Sequence, residues 1–395
     1  MMNKKSNKPY LRFPGFTDAW EKRKLGEITQ VIMGVSPSSK NYSLDLSDPI
    51  LVQGNADMID GQVVPRIHTK QITKTAKKGS LILSVRAPVG EVGKTEFDVV
   101  LGRGVAGISG NEFLFQYLNN IHSSGYWKVL SSGSTFDSVT TTQVLNLLVY
   151  IPTKREQQQI GTFFQKLDSL IAANQREYKK LTDLKNAYLH KMFPADGKDV
   201  PELRFPGFTD AWEKRKLGEM TKLVSGYSFK SSNFGIGSFP VIRITNILEN
   251  GSVGGTFVTY EKKELADKYI AKSGQLVIAM SGATTGKIGQ VSATALVNQR
   301  VGLFAELAIN VRLLKVFLAS SSFKKYIGNL WGAGAQPNVS VKQINSYEIS
   351  IPATNNEQQQ IGIFFQKLDS LIAANQREGK KLEELKQSLL KEMFV

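Results

Sequence analysis

The sequence has no cysteine and only three histidines among its 395 residues, His68, His122 and His190. Without cysteine there are no disulfides, thiolate zinc sites or cysteine nucleophiles, and three scattered histidines argue against a histidine-rich metal site. No stretch of about 18 apolar residues occurs, and no apolar segment follows the basic start of the chain as it would in a signal peptide. We therefore expect a cytoplasmic protein with no membrane segment and no metal site.

Motifs of common nucleotide-dependent enzymes are also missing. The segment 282–288 is similar to a phosphate-binding loop but is one residue too short, and Ile288 stands where that motif needs a hydroxyl for magnesium. No G-x-G-x-x-G follows a strand, and neither H-E-x-x-H nor the Asn/Asp-Pro-Pro-Tyr/Phe tetrad of amino-methyltransferases occurs. We expect no catalytic residue in this chain and no cofactor bound by it.

Acidic residues are too few to balance the basic ones, 34 against 50, which gives a formal net charge of +16. Clustered Lys and Arg gain free energy when they displace counterions from phosphates, so this excess favours an anionic partner. Ribosomal, membrane-surface and nucleic-acid roles are all compatible with it. The excess is uneven, because residues 220–350 hold fourteen basic and six acidic side chains, whereas residues 28–150 hold ten and nine.

What the sequence does contain is an internal repeat. The segment 11–27, which we call the first Trp box, recurs unchanged as 203–219, the second Trp box. The segment 156–177 recurs as 357–378 with a single difference. The chain therefore consists of two copies of one arrangement, each made of a box, a variable region and a helix.

The variable regions 28–150 and 220–350 differ strongly in sequence but share a common skeleton. Both consist of short β-branched runs separated by Gly, Asn and Asp, which are strand and turn signals, and both end in a short strand closed by Ile-Pro. We expect each region to be mainly β, with helices over 111–130 and 307–327. One fold would then carry two different surfaces.

A Thr-x-x-Glu capping box follows each variable region, from Thr153 to Glu156 and from Thr354 to Glu357. In such a box the hydroxyl and the carboxylate each accept a hydrogen bond from a free amide at the start of a helix. The first helix is expected to run to about Met192, and its apolar residues alternate in three- and four-residue steps, as in a coiled-coil seam. The predicted seam contains Phe164, Leu167, Ile171, Asn174 and Leu181, with Phe365, Leu368, Ile372, Asn375 and Leu382 in the second copy.

The two asparagines of this seam either fix the register of the helices or are tolerated at the surface. Two such helices in one chain can pair with each other, because the linker 194–202 is long enough for the chain to turn. If they pair antiparallel, the variable regions lie at opposite ends and the helices act as a spacer.

A second apolar stripe lies beside the seam and is wider than a two-helix seam requires. It packs either on the chain's own β regions or on another protein, and we prefer a partner subunit. Its residues are Phe163, Leu170 and Leu184, with Phe364, Leu371 and Leu385 in the second copy.

Polar side chains in the loops of the variable regions are candidates for DNA contacts. Arg, Lys, Gln and Asn can make paired hydrogen bonds to purine edges in the major groove, and Ser, Thr and Lys suit phosphates. The same residue types also occur as solvated turn formers. The candidates are Ser39, Lys40, Gln53, Asn55, Arg86, Arg103, Ser134 and Thr135 in the first region, and Lys230, Ser231, Arg243, Asn246, Thr284, Thr285, Lys287, Arg300, Gln336 and Asn338 in the second.

The duplicated features resemble those of the specificity (HsdS) subunits of type I restriction-modification systems, over nearly the whole chain. They are the Phe-Pro-Gly-Phe-Thr-Asp-Ala-Trp-Glu and Lys-Leu-Gly-Glu boxes, the Ile-Pro ends, and the Glu-Gln-Gln-Gln-Ile-Gly and Leu-Asp-Ser-Leu-Ile segments of both helices. The resemblance implies an α+β fold with a pseudo-two-fold internal repeat, in which two mainly β target recognition domains are joined by two long antiparallel coiled-coil helices. The implied boundaries are 1–152 and 203–352 for the recognition domains, 153–193 and 353–395 for the helices, and 194–202 for the linker.

The same resemblance implies a DNA-recognition subunit that is not itself catalytic. Each recognition domain would read one half of an asymmetric bipartite sequence in double-stranded DNA, and the helices would set the spacer and bind two methyltransferase (HsdM) subunits. S-adenosylmethionine on those subunits, and ATP with Mg²⁺ on restriction (HsdR) subunits, would supply the chemistry. The main alternative is a stand-alone bipartite DNA-binding regulator, and the second is a nuclease or methylase with an unrecognised site.

Overall fold

The structure is a computed structural model, and it describes residues 7–131, 138–195, 198–261, 267–330 and 337–395. Its contacts divide the chain into two compact units. Unit 1 comprises Met1–Gln175 and Glu378–Val395, and unit 2 comprises Arg176–Arg377. Each unit thus holds one Trp box, one variable region and a segment of both long helices, whereas the boundaries expected from the sequence treat each long helix as a segment of its own.

The helices of the described residues are, in chain order, α1 (Leu25–Ile28), α2 (Glu112–Ser123), α3 (Tyr126–Ser131), α4 (Thr141–Leu145), α5 (Lys154–Lys191), α6 (Leu217–Met220), α7 (Val311–Ala319), α8 (Ser321–Gly328), α9 (Val341–Asn345) and α10 (Asn355–Met393). Short 3-10 helices lie at Ser39–Asn41, Asn55–Asp57, Ser231–Asn233, Ile244–Asn246, Asp267–Tyr269 and Gly282–Thr284.

The strands of unit 1 are β1 (Glu21–Lys24), β2 (Val31–Met33), β3 (Tyr42–Ser43), β4 (Ile50–Val52), β5 (Met58–Ile59), β6 (Gln62–Val63), β7 (Ile67–Thr69), β8 (Lys74–Ala76), β9 (Leu81–Ser84), β10 (Val92–Lys94), β11 (Val99–Leu101), β12 (Val105–Ile108) and β13 (Leu148–Ile151). Those of unit 2 are β14 (Glu213–Lys216), β15 (Thr221–Ser225), β16 (Phe239–Ile242), β17 (Val258–Tyr260), β18 (Ile270–Ala271), β19 (Leu276–Ala279), β20 (Ile288–Gln290), β21 (Ala295–Val297), β22 (Val301–Leu307) and β23 (Glu348–Ile351).

In unit 1 the variable region forms two sheets, with strand orders β2-β12-β9-β10-β6-β5 and β3-β7-β4-β11-β8. Strands β4 and β11 pair in parallel, with Val99 opposite Ile50. A separate antiparallel ribbon of β1 and β13 joins the Trp box to the end of the variable region, with Glu21 opposite Ile151. The two ends of the variable region are therefore held side by side.

The central strand β9 shows why these short apolar runs fold as they do. All four of its side chains are buried, and successive side chains of a strand point to opposite faces. Leu81 and Leu83 pack in the core that contains Phe113 of α2, whereas Ile82 packs in the core between the two sheets. The sheet that contains β9 is therefore buried on both faces, by helices on one side and by the second sheet on the other.

Unit 2 repeats this plan with fewer strands. Its sheets have the orders β15-β22-β19-β20 and β17-β16-β21-β18, and β14 pairs antiparallel with β23. Leu276 and Ile278 of β19 pack in the helix-covered core, and Val277 and Ala279 pack in the core between the sheets. The predicted α+β fold with two mainly β regions is confirmed.

The single helices predicted within the variable regions are each broken. The segment 111–130 contains α2 and α3, which are separated at Ser124 and Gly125, and Gly125 has a φ of +77°, a left-handed conformation that ends a helix. In the segment 307–327, Leu307 ends strand β22, so the prediction of helix there was wrong. Helices α7 and α8 follow, and the hydroxyl of Ser320 between them accepts a hydrogen bond from the Phe323 amide at 3.2 Å.

Only half of each predicted capping box forms. The hydroxyls of Thr153 and Thr354 accept hydrogen bonds from the Glu156 and Glu357 amides, at 3.4 and 3.3 Å. The two carboxylates do not return to the threonine amides, so that part of the prediction was wrong. They are fully buried instead, and buried carboxylates need a partner of opposite charge.

Arginines of the Trp boxes are those partners. Arg12 donates from Nε and Nη2 to the two carboxylate oxygens of Glu156 at 2.6 and 2.8 Å, and Arg204 binds Glu357 in the same way at 2.7 and 2.8 Å. The hydrogen bond to Glu156 raises the pKa of Arg12, and that to Glu357 raises the pKa of Arg204. A two-pronged ion pair therefore fixes each Trp box to the first turn of its long helix.

The predicted antiparallel pairing of the long helices is confirmed within each unit. In unit 1, Asp168 of α5 binds Lys386 of α10 at 2.7 Å, and in unit 2, Lys185 binds Asp369 at 2.6 Å. Residue numbers fall along α10 as they rise along α5. Of the predicted seam residues, Phe164, Leu167, Phe365 and Leu368 are buried, while Ile171, Asn174, Leu181, Ile372, Asn375 and Leu382 are half-buried.

The ends of both long helices are part of the cores of the two units, and this was not predicted from the sequence. Phe394, just after α10, packs in unit 1 with its ring centroid 6.2 Å from that of Trp20 and 5.3 Å from that of Phe113. Phe193, just after α5, lies 5.8 Å from Trp212 in unit 2. The correspondence between the two copies thus includes a phenylalanine that packs on the tryptophan of each Trp box.

Candidate nucleic-acid interface

In unit 1 loops from distant parts of the sequence are tied together by backbone hydrogen bonds. The Val85 amide donates to the Gly104 carbonyl, the Val139 amide donates to the Val85 carbonyl, and the Gly102 amide donates to the Val52 carbonyl, at 2.9, 2.9 and 2.7 Å. The loops that follow β4, β9 and β11 therefore meet the segment before α4. Since strands and helices fix both ends of each loop, their side chains are presented on a rigid frame.

Unit 2 has the same frame, formed by residues in corresponding places. The Met280 amide donates to the Arg300 carbonyl, the Val339 amide donates to the Met280 carbonyl, and the Asn298 amide donates to the Ile242 carbonyl, at 2.9, 2.9 and 3.0 Å. Arg86 forms a β-bridge with Ser138, and Ser281 forms the matching bridge with Asn338. The backbone of this loop cluster is thus common to the two units, and the side chains differ.

Several of the predicted DNA-contacting residues lie in these clusters. In unit 1, Gln53 follows β4, Arg86 follows β9 and Arg103 lies between β11 and β12. Arg86 and Arg103 are exposed, and no side-chain partner of either occurs among the described residues. The 3-10 helix with the exposed Ser39 and Lys40 is linked to this cluster, because Gln53 donates a hydrogen bond from its side chain to the Tyr42 hydroxyl.

In unit 2 the loop cluster contains the predicted residues Arg243, Arg300 and Asn338. Arg300 and Asn338 line an open cleft of about 390 Å³ together with Ser225, Gly226, Ser228, Met280, Gln299 and Val339. Arg243 is half-buried, and its Nε has no hydrogen-bond partner within the described part of the chain. Lys230 and Ser231 are exposed at the start of the 3-10 helix Ser231–Asn233, the counterpart of Ser39–Asn41.

Other predicted contact residues are wholly or partly buried, or are bound within the chain. Asn246 is 1% exposed, and its side-chain amide donates to the carbonyls of Gly254 and Thr256. It is therefore not available to DNA, contrary to the prediction. The Thr285 hydroxyl donates to the Gly282 carbonyl at 2.7 Å, and the Thr284 hydroxyl is buried. Lys287 forms an ion pair with Glu249, and Asn55 is half-buried at the start of a 3-10 helix.

Three predicted residues, Ser134, Thr135 and Gln336, lie outside the described residues. Conversely, Gln299, Tyr227 and the cleft serines Ser225 and Ser228 were not predicted from the sequence. Gln299 directly precedes Arg300 and is equivalent to Arg103 in the other copy of the repeat. Comparison of the two copies could therefore have predicted it. Tyr227 is 39% exposed and is held by Phe229 and Tyr269, with ring centroids 5.1 and 5.3 Å away, which only the fold reveals.

The residues of the apolar stripe on the long helices are partly packed within the chain and partly exposed. Phe163 packs on Phe13 with ring centroids 5.7 Å apart, and Phe364 packs on Phe205 at 5.9 Å, so these two residues contact the chain's own Trp boxes. Leu170 and Leu385 in unit 1 are 58% and 49% exposed, and Leu184 and Leu371 in unit 2 are 40% and 57% exposed. The phenylalanines of the stripe therefore pack within the chain, and docking of a partner on the exposed leucines stays a prediction.

Neither a metal site nor a membrane span is found among the described residues. No group of three or more His, Asp or Glu side chains there is arranged to hold a metal ion. None of the helices in that part of the chain combines the length and the apolar character that a membrane span requires. Two unlike polar surfaces on one duplicated frame are the features of a two-part binding protein.

The family model for the type I restriction modification DNA specificity domain matches residues 17–183 and 209–385. These two matches cover most of the chain, one in each copy of the repeat. The chain therefore belongs to the family of type I restriction-modification DNA specificity proteins.

Curated relatives agree with this assignment, and solved structures share the fold. The type I restriction enzyme MjaVIII specificity subunit of Methanocaldococcus jannaschii is 26% identical over 259 residues, which are 62% of this chain and 60% of that protein. The matched segments span between 42% and 60% of the length of the curated relatives. The S subunit of the type I restriction-modification system of M. genitalium has a similar fold, with a TM-score of 0.68 at 16% identity over 98% of this chain and 99% of that one.

A chain from a structure of a type I restriction-modification assembly has the same fold at a TM-score of 0.54 and 18% identity, over 98% of this chain and 99% of that one. At these identities the likeness concerns the fold alone.

Proposed function

We propose that this chain is the DNA-recognition subunit of a type I restriction-modification complex, and that each unit reads one half of an asymmetric bipartite target in double-stranded DNA. The observation that carries the proposal is the loop cluster, whose backbone hydrogen bonds are the same in both units while the side chains differ. Two copies of one frame with unlike surfaces suit a target with two unlike halves. In this function the chain binds DNA and partners, and it is not itself catalytic.

Charge supports a nucleic-acid ligand more strongly for unit 2 than for unit 1. Region 220–350 has eight more basic than acidic residues, and region 28–150 has one more. The exposed Arg86 and Arg103 nevertheless place positive charge in the loop cluster of unit 1. Phosphate contacts would supply most of the affinity, and base contacts from the loops would supply the specificity.

The exposed leucines of the long helices support docking of a methyltransferase subunit on each unit. Because Asp168 binds Lys386, Leu170 and Leu385 lie at the same level of the helix pair in unit 1. Lys185 and Asp369 bring Leu184 and Leu371 to the same level in unit 2. These two leucine pairs, which we call the leucine patches, correspond through the repeat, so two copies of one partner could bind them in the same way.

In the assembled complex the remaining chemistry belongs to the partners. S-adenosylmethionine would be bound by two methyltransferase subunits, and ATP with Mg²⁺ by restriction subunits. The paired helices α5 and α10 would set the number of base pairs between the two half-sites. This division of labour fits a chain in which reading surfaces and docking surfaces are carried by different elements.

Co-expression with the methyltransferase subunit tests the proposal. The purified complex is incubated with genomic DNA and S-adenosylmethionine, and adenine methylation is mapped by sequencing. We expect one bipartite motif with a fixed gap. Failure to co-purify, or methylation without any motif, overturns the proposal, and sequence-specific DNA binding without a methyltransferase partner favours the stand-alone regulator.

A matched control uses the repeat itself. Replacing residues 220–350 by the variable region of another member of the family should change one half of the motif and leave the other half and the gap unchanged. Replacing 28–150 should have the opposite effect. If either exchange alters both halves, the two units do not read DNA independently.

A further inference from the structure

The turn between the two sheets of each unit is held by several hydrogen bonds within the loop cluster. In unit 1 it is 102–105, closed by a hydrogen bond from the Val105 amide to the Gly102 carbonyl at 3.2 Å. In unit 2 it is 298–301, closed by the Val301 amide and the Asn298 carbonyl at 2.8 Å. Both turns are also hydrogen-bonded at their first and third residues to neighbouring loops, as described above, so the two central residues project from a fixed backbone.

Side chains next to each turn add further anchors. The Arg103 amide donates to the Ser36 hydroxyl at 3.1 Å, and the Ser225 hydroxyl donates to the Gln299 carbonyl at 3.0 Å. These bonds occupy the backbone of the central residues and leave their side chains free. The fixed backbone matters because a loop that is already ordered loses less conformational entropy when it binds.

The central side chains are Arg103 and Gly104 in unit 1 and Gln299 and Arg300 in unit 2. A Cβ atom at Gly104 would collide with the carbonyl oxygen of Gln53, so the first turn presents one side chain and the second turn presents two. Arg103, Gln299 and Arg300 are exposed. Neither guanidinium has a hydrogen bond or ion pair with any described residue.

An exposed, unpaired arginine on a fixed backbone suits a ligand with two adjacent acceptors. Its planar fork of N–H donors matches the O6 and N7 acceptors of guanine in the major groove, and lysine lacks this planar fork. The open cleft beside Arg300 offers additional polar groups from Ser225, Ser228 and Asn338 to neighbouring base edges or phosphates. In unit 1 Arg103 stands alone on its turn.

We infer that Arg103 and Arg300 are specificity-determining residues, and that each recognises a guanine in the half-site read by its own unit. The inference rests on the proposed function and goes beyond it, because it names the base and the residue that reads it. The two arginines act on different half-sites, so changing one leaves the preference at the other half-site unaltered.

Selection of DNA by the complex of this chain with its methyltransferase subunit tests the inference. Duplexes with both half-sites randomised are bound to the wild type and to the variants R103K, R300K, R103A and R300A, and the bound pool is sequenced. We expect R300K to lose about tenfold or more of its preference for guanine at one position of one half-site, with the other half-site unchanged. R103K should do the same in the other half-site, and R377K, at an exposed arginine of α10, should leave the selected motif unaltered.

The outcomes separate the inference from the proposed function. If the wild type selects no motif, the proposed function itself is wrong. If the wild type selects a bipartite motif but R300K and R103K select the same one, the inference is wrong. It is also overturned if R300A weakens binding equally for all sequences and lowers the salt dependence of binding, because that is the behaviour of a phosphate contact.

Discussion

The buried ion pairs between Trp boxes and long helices show how identical residues are used twice. Glu156 is fully buried and Arg12 is nearly so, and their distances match those of Glu357 and Arg204 within 0.1 Å. Burying two charges costs much of what their attraction gains, so such a pair contributes more to the placement of the box than to net stability. Breaking it is a different matter, because one charge is then left buried alone.

Replacing Arg204 by Met should therefore lower the free energy of unfolding by about 3–5 kcal/mol. The double variant R204M/E357L should recover most of that loss, because no unpaired charge remains in the protein. Urea denaturation of the wild type, both single variants and the double variant completes the cycle. R215M, which removes an exposed partner of Glu213, is the control and should change little.

If R204M is no less stable than R215M, the ion pair does not fix the box. A double variant as unstable as R204M would instead mean that the loss arises from packing of the arginine side chain.

For single residues, the sequence predicted which amino-acid types occur in the loop clusters better than it predicted which individual residues lie there. Arg86, Arg103, Arg300 and Asn338 were selected because their side chains can pair with bases, and they lie in the loop clusters. Asn246 was selected for the same reason and is buried, because nothing in a single sequence distinguishes an asparagine that binds its own loop from one that faces solvent. The carboxylates of the capping boxes were misassigned because their arginine partners lie about 150 residues away.

At the scale of elements, the long helices were the most predictable part of the molecule. Their length and seam follow from a local apolar pattern with steps of three or four residues. The breaks in the shorter helices were missed because the apolar pattern continues across Ser124–Gly125 and Ser320, although a turn intervenes. Whether Asn174 belongs to the helix contact could be settled only from the structure. A Cβ at Gly379 of α10 would collide with the side-chain oxygen of Asn174 in α5, so this asparagine lies between the two helices.

The leucine patches allow a prediction about partner binding. Replacing Leu170 and Leu385 by Ser should abolish docking of one of two methyltransferase subunits, and replacing Leu184 and Leu371 should abolish the other, because each variant removes an exposed apolar pair from one unit. Size-exclusion chromatography with light scattering distinguishes a complex with one partner from a complex with two.

The matched control replaces Leu44 and Leu46, which are both 84% exposed in the first variable region. This variant should bind two partners. If it loses a partner as well, the effect reflects general loss of apolar surface, and full binding by both patch variants would refute the docking surface.

For the whole molecule, the repeat in the sequence predicted two reading regions on one frame, and the family assignment supports that division. The number and order of strands could not be read from the sequence, because strand pairing joins segments that are far apart in the chain and leaves no local pattern. The insertion of the helix ends into the cores was likewise invisible, since Phe193 and Phe394 contact aromatic residues of other elements.

The spacing role of the helices leads to a prediction at this scale. Inserting seven residues after Asn174 and seven after Asn375 keeps the seam pattern and lengthens both helices by about 10 Å, or about three base pairs of DNA. If the helices set the spacer, the methylation motif of this variant should have a longer gap and unchanged half-sites. A motif with the original gap would show that the helices are not the spacer, and a control insertion of seven residues in the linker 194–202 should leave the gap as it is.

The packing of Phe394 against Trp20 and Phe113 also bears on synthesis of the protein in the cell. Residues 7–175 of unit 1 leave the ribosome well before the segment that completes their core. At roughly 5–20 residues per second, translation of the next 220 residues takes about 10–45 s. During that interval Trp20 and Phe113 lack the phenylalanine that packs on them in the folded chain, whereas Phe193 of unit 2 is made before the variable region that it packs against.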